Sequence, residues 1–263
     1  MTQLQQFATY AEASAASGRV LGGGTILMRQ VNYHPQTVPQ LVRITDPAAT
    51  AIRREGSGVM IGAGVTMAQV IESQDLAPLA PVARAIGGPA LRNMATVGGN
   101  LFAAHPYGDF TTALLALGAS VTWASGQQED LETFLTRRES AQGVVASISV
   151  PIPRAGNFRF RKVSRTKPKG ISVMSIAFMH SGFGNRVENA RLAFGAMAPT
   201  PLRAKSAEAA LNGISLDDEA AVSRACQSVA QDLAPFDDAI ASAWYRQKVA
   251  PIHLKRLLMG DGR

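Results

Sequence analysis

Apolar residues change spacing several times along this chain, and each change predicts an element. Leu4, Phe7 and Ala11 recur at helical intervals in an otherwise polar, alanine-rich stretch, which predicts a short amphipathic helix over 4–16. Val20-Leu21 reads as a strand end. Thr25 then stands as an N-cap, with 25–30 as the first turns of a helix. Leu41–Ile44 and Val59–Ala63 are β-branched or apolar runs bounded by turn residues and predict strands. Thr66 caps a predicted helix over 67–73. The apolar run 76–86 stops at Gly87-Gly88, and Pro89 starts the next turn.

A helix follows Asp109, running through Phe110–Leu114 into the apolar stretch 114–119. Alternation over 120–123 and 144–152 predicts two more strands, the second ending in Pro151-Ile152-Pro153. With Arg154–Asn157 next, this is the clearest boundary in the chain. Beyond it, 158–163, 172–179 and 190–194 predict three antiparallel strands, and 217–231 and 239–258 predict long helices. The expected organisation is therefore two domains, 1–153 and 154–263, in the α+β class.

Composition narrows the chemistry. A chain of 263 residues is long enough for one or two domains of roughly 100 to 200 residues each. With 46% hydrophobic and 17% charged residues it is globular in character. The net charge of +7 is spread along the chain, and aromatics make up only 6%, so a base-stacking nucleic-acid surface is not expected. The one cysteine, Cys226, excludes an internal disulfide framework and any cluster held by several thiolates of this chain. No basic region leads into an apolar segment at the N-terminus, and no stretch has the length needed to cross a bilayer; a cytoplasmic protein is expected. The four histidines fall on separate elements, which argues against a zinc site, and neither a Gly-x-Ser-x-Gly elbow nor a phosphate loop ending in Gly-Lys-Ser/Thr is present.

Two glycine-rich segments carry the candidate chemistry. Leu21-Gly22-Gly23-Gly24-Thr25-Ile26 and Thr96-Val97-Gly98-Gly99-Asn100 each lie between an apolar strand and a helix start, where a backbone without Cβ atoms can approach a ligand closely. Gly98 and Gly99 are expected to offer amide donors to an anion, and two such loops suit a ligand with two phosphates. The first loop does not fit the Rossmann fingerprint: the third glycine would fall at Leu27, and Asp46, at a tempting distance, precedes Pro47 in a turn. Read from the residues alone, Asp109 is an ordinary N-cap and Lys162 a solvated strand lysine.

Taken jointly, Val20–Leu27 and Thr96–Asp109 resemble the paired flavin-binding segments of the FAD subunit in the xanthine dehydrogenase and carbon monoxide dehydrogenase family of molybdenum hydroxylases. Ile61–Thr66, Leu91-Arg92-Asn93, Arg161–Arg165, Asp238–Ser242 and Tyr245-Arg246 extend the likeness over most of the chain. The resemblance implies a two-part FAD-binding domain of the vanillyl alcohol oxidase-like (PCMH-type) class, followed by a small C-terminal α+β domain. It also implies one noncovalent FAD: Leu21, Gly22, Gly23, Gly24, Thr25, Ile26, Thr96, Gly98, Gly99 and Asn100 contact the pyrophosphate and ribityl chain, Ile86 lies near the adenine, Asp109 is on the ribityl side, and Lys162 is near the N1 and O2 edge of the ring.

The implied partners are a small subunit with two [2Fe-2S] clusters and a large subunit with the molybdenum cofactor, assembled as a dimer of heterotrimers. Electrons would pass from the nearer cluster to the flavin and on to an external acceptor, and no residue of this chain would act on substrate carbon. His105 lies between the second glycine segment and Asp109, but the family generally does not attach FAD through histidine. Two departures stand out: the family's first strand is expected to be missing, and Lys169-Gly170 replaces a usual acidic position. A self-contained flavin oxidase of the vanillyl alcohol oxidase type, or an assembly subunit without cofactor, are the other readings.

Overall fold

A computed structural model describes residues 2–166 and 170–260, so Lys169 of the second departure lies outside the described residues. Twelve strands are formed among them: β1 (Gln3–Phe7), β2 (Arg19–Val20), β3 (Gln40–Ile44), β4 (Ile52–Glu55), β5 (Gly58–Gly62), β6 (Ser120–Trp123), β7 (Gln128–Asp130), β8 (Val145–Pro151), β9 (Phe158–Ser164), β10 (Ser172–Met179), β11 (Arg191–Gly195) and β12 (Leu202–Arg203). By contact the chain falls into two compact units, Met1–Ala103 with Gly118–Ile152, and Ala104–Leu117 with Pro153–Arg263. The segment 104–117, expected with the first domain, therefore packs in the second unit.

In the first unit, β1, β3 and β2 form a parallel sheet with β3 in the centre, and Leu41 and Val42 of β3 are buried. The expected helix over 4–16 is replaced by β1 and a single turn, α1 (Tyr10–Ala13). The first strand is thus present. Its polar residues are tolerated because it is an edge strand whose side chains are mostly exposed, while its backbone pairs with β3 from Gln3 to Phe7. A reciprocal capping box between Thr9 and Glu12 starts α1 immediately afterwards.

A five-stranded antiparallel sheet in the order β4-β5-β8-β6-β7 makes up the rest of this unit's strand structure. Val59, Ile61, Ile148 and Val150 alternate inward on β5 and β8. The helices here are α2 (Leu27–Tyr33), α3 (Met67–Glu72), α4 (Ala80–Arg84), α5 (Pro89–Arg92), α6 (Val97–Leu101) and, after the excursion into the second unit, α8 (Leu131–Arg137). Thr66 caps α3 through a box with Gln69, as its position predicts. Buried Arg138, at the end of α8, donates to the carbonyls of Ala103 (2.9 Å) and Leu101 (3.5 Å), which satisfies the C-terminal end of α6.

In the second unit the sheet runs β12-β11-β10-β9, antiparallel throughout. Met174, Ile176 and Phe178 of β10 and Leu192 and Phe194 of β11 join Val222, Cys226, Leu254 and Leu258 in one apolar core, contributed by α10 (Glu219–Gln227) and α11 (Ala243–Met259); Leu211 comes from α9 (Lys205–Leu211). On the opposite face lies α7 (Asp109–Leu117), all nine of whose residues are buried. A Cβ on Gly195 would sit 2.3 Å from Thr112 Oγ1, which is how closely α7 approaches β11. Arg191 donates from Nε and Nη2 to the carbonyls of Ala116 and Leu115, both at 3.0 Å, and closes the C-terminal end of α7.

The two long C-terminal helices are shorter than predicted. The first is capped by Asp218 and passes into a 3-10 turn at Ser228–Gln231; the second begins only at Ala243, with Ser242 as its cap, because Asp238–Ser242 folds into a loop around the Asp238 carboxylate. No helix among the described residues is long and apolar enough to cross a membrane.

Candidate functional site

The two glycine segments meet inside the first unit. An ideal Cβ on Gly22 would lie 2.6 Å from Thr96 Oγ1, and one on Gly23 only 1.6 Å from the Met94 carbonyl oxygen. Gly24 adopts φ +69, a conformation that favours glycine. Gly22 and Gly23 are required because the first loop is laid against the Thr96 side chain and the Met94 backbone of the second, and Gly24 because of its own backbone conformation.

The chain turns into α2 without a side-chain cap. Ile26 holds the cap position, so Thr25 does not serve as the predicted N-cap. As a result the amide groups of Gly22, Gly23, Gly24, Thr25 and Ile26 have no acceptor among the described residues. A run of unpaired N–H groups entering a helix is an arrangement suited to phosphate oxygens.

The second segment has a different part from the one predicted. Its bend follows Ala63–Thr66: Met67 N–H donates to Ala95 O, Val97 N–H to Val65 O, and Gly98 N–H to Ala63 O at 2.8 Å. Gly99 N–H donates to Thr96 Oγ1 at 3.0 Å, where Thr96 caps α6. The amides of Gly98 and Gly99 are therefore already used, and the expectation that they offer donors to an anion is overturned. The segment instead forms the floor under the first loop and presents the Thr96 hydroxyl, whose own proton can still be donated. This also gives the Ile61–Thr66 motif its purpose.

Apolar side chains around these bends are unusually exposed. Val20, Ile26, Leu91, Met94 and Phe102 all remain open to solvent, and Ile86 is half-buried, as would suit a site for flat apolar rings. Arg92 donates to the carbonyls of Gly87 (2.7 Å), Ile86 and Arg84, fixing the turn that carries Ile86.

In the second unit, Asp109 sits in the first turn of α7. Both its carboxylate oxygens lie within reach of Ser172 Oγ, at 2.7 and 2.9 Å, and Lys162 Nζ is 3.0 Å from Oδ2. All three side chains are at least mostly buried. Lys162 is thus no solvated strand lysine. The two donors take two of the about four acceptor positions of a carboxylate, and a polyol hydroxyl is the kind of donor that matches the remainder.

His105 is engaged on both sides of its ring. Nε2 is 2.7 Å from Asp238 Oδ2, Nδ1 is 3.2 Å from the Ala198 carbonyl, and the ring packs at a tilt of 44° on Phe236 with centroids 4.3 Å apart. Asp238 in turn accepts from Nη2 of Arg246 at 2.8 Å and from the amides of Ile240 and Ala241. Burial works against its charge, but hydrogen bonds from Ala241, Arg246, His105 and Ile240 outweigh it and hold the carboxyl well below the usual range.

Arg246 is fully buried. Besides Asp238 it donates to the carbonyls of Phe236 and Ala241, and from Nε to that of Val173 at 2.9 Å. Ser172 and the anchoring work of Arg246 are the parts of the site that the sequence reading did not single out; Arg246 entered only as a motif match, and Ser172 not at all.

Known proteins resemble this chain over most of its length. The family described as FAD binding domain in molybdopterin dehydrogenase matches residues 1–153, and CO dehydrogenase flavoprotein C-terminal domain matches 159–260. The carbon monoxide dehydrogenase medium chain of Afipia carboxidovorans is 29% identical over 256 residues, covering 90% of this chain and 86% of that protein. The xanthine dehydrogenase FAD-binding subunit of Escherichia coli O157:H7 is 29% identical over 259 residues, covering 92% and 86%. Among solved structures, a carbon monoxide dehydrogenase from Hydrogenophaga pseudoflava superposes with a TM-score of 0.87 at 27% identity, covering 98% of this chain and 96% of that one.

Proposed function

The chain belongs to the family of FAD-binding domains of molybdopterin dehydrogenases, and from that premise we propose that it is the electron-relay subunit of a hydroxylase complex, holding one noncovalent FAD. The observation that carries the reading is the run of unpaired amides from Gly22 to Ile26, resting on a floor into which no Cβ would fit. These amides and the Thr96 hydroxyl take the pyrophosphate, with Leu21 and Asn100 flanking it. Gly98 and Gly99 shape the floor. Asp109 accepts from the ribityl chain, and Lys162, already paired with Asp109, contributes positive charge toward the ring edge where reduction adds negative charge.

When bound, FAD can take up electrons singly and give them up as a pair. The residues of this chain position it and set its electrostatic surroundings. The electrons come from a [2Fe-2S] subunit, a third subunit with the molybdenum cofactor oxidises substrate, and the whole assembles in the cytoplasm as a dimer of heterotrimers. The first domain, 1–153, takes the PCMH-type role and 154–263 the smaller one.

The test is twofold. Purified chain titrated with FAD, FMN and riboflavin should take up one FAD and favour it clearly over the two ligands that lack the diphosphate; equal affinity for all three would remove the pyrophosphate assignment. Co-purification from the native host should bring flavin, iron and molybdenum together, and flavin without the metals would defeat the relay role.

A further inference from the structure

Strand β10 carries one more residue than its partner just beyond Ser172. Ser172 pairs with Ser164 and Met174 with Val163, so Val173 is the extra residue of a β-bulge. In a regular strand, residues three apart face opposite sides of the sheet. Here Ser172 and Ser175 face the same side: Ser172 bonds to Asp109, and Ser175 Oγ lies 3.2 Å from Thr112 Oγ1, one helical turn further along α7. The phase slip is absorbed on the other face, where Val173 and Met174 both enter the apolar core. A bulge disrupts the ladder locally, and Arg246 Nε supplies a donor to the Val173 carbonyl there.

We propose that Ser172 is a positioning residue of the cofactor site, turned toward α7 by the bulge at Val173 so that its hydroxyl sets the orientation and effective charge of the Asp109 carboxylate against Lys162. The inference rests on the assignment of Asp109 and Lys162 to FAD made above. With its single proton shared between Oδ1 and Oδ2, the Ser172 hydroxyl fixes the carboxylate plane and offsets part of its charge. Lys162 reaches the same carboxylate from β9, directly opposite Ser175 in the ladder, so the bulged strand and its neighbour grip Asp109 together. Removing the hydroxyl leaves a buried carboxylate with more unshielded charge beside the flavin.

The experiment compares wild type, Ser172→Ala and Ser172→Cys as full chains, measuring FAD affinity by titration, melting temperature, and the midpoint potential of the bound flavin at saturating FAD. Ser172→Ala should weaken FAD about tenfold, equivalent to about 1.4 kcal/mol, and make the flavin harder to reduce. Ser172→Cys fills the space with only a weak donor and should shift the potential in the same direction, which keeps the test open if the alanine variant does not fold. Unchanged potential in either folded variant overturns the proposal, even if affinity drops, because lost packing alone would leave the flavin's electrostatics untouched. Wild-type protein that takes up no FAD would instead sink the assignment of Asp109 and Lys162.

Discussion

Gly23 is the residue at which a single methyl group would do most harm. Its Cβ would overlap the Met94 carbonyl, a backbone atom that cannot rotate away, so the loop itself must move. Gly23→Ala should cost on the order of 1–3 kcal/mol through overpacking and abolish FAD retention, read as the loss of yellow colour together with a fall in melting temperature. A Cβ on Gly99 would meet only the Thr96 hydroxyl, at 2.9 Å, so Gly99→Ala should keep most of the flavin. Cys226 is a second residue with a defined outcome. Burial pushes its thiol up to about 12, the charge of Lys255 acting weakly in the other direction, so maleimide should label it only as fast as the protein unfolds. Rapid labelling of native protein at pH 8 would contradict its place in the core.

Among the elements, the loop Asp238–Ser242 and its anchor Arg246 determine how α11 begins and how the bulge of β10 is held. Asp238 has its carboxyl depressed in the folded chain. The stabilisation it contributes is therefore fully present above the unfolded value of about 3.9 and is lost as pH falls below that through the folded value. Asp238→Asn should lower the melting temperature at pH 7 and flatten its decline below about pH 4; parallel curves for variant and wild type would show that the depression is not a folding contribution.

Elements of this second unit were easy to read from sequence where they are long and alternate, as in β9, β10 and β11. The edge strand β1 was misread because its residues are polar on both faces and the spacing of Leu4 and Phe7 happens to fit a helix. The cap was placed one residue early, at Thr25 instead of Ile26, because the turn is set by Gly24 and by contact with the second loop, not by a side-chain cap. Asp109 and Lys162 were legible through the motifs that carry the family resemblance, Pro106-Tyr107-Gly108-Asp109 and Arg161–Arg165. Ser172 was not, because nothing in Ile171-Ser172-Val173-Met174-Ser175 marks Val173 as the extra residue; only the register against β9 does.

At the scale of the whole molecule, matches to families divide the chain at one point, with 1–153 on one side and 159–260 on the other, whereas contact divides it at three. The difference is α7, which is bounded in sequence by parts of the first unit and packed on β10 and β11 of the second. Phe110, Leu114, Leu115 and Leu117 are all buried there, and exposing them would forfeit on the order of 6–12 kcal/mol of apolar burial, comparable to the 5–15 kcal/mol that typically keeps a domain folded. A fragment comprising 1–153 should therefore aggregate or expose apolar surface in light scattering and dye binding; a monodisperse fragment would show that α7 tolerates losing its sheet. Because the polypeptide passes out of one body, contributes a helix to the other and returns, the halves are laced together like a stitch. A single break therefore does not separate them, and a protease nick in the 153–157 linker should leave two fragments that stay bound until denaturant is added.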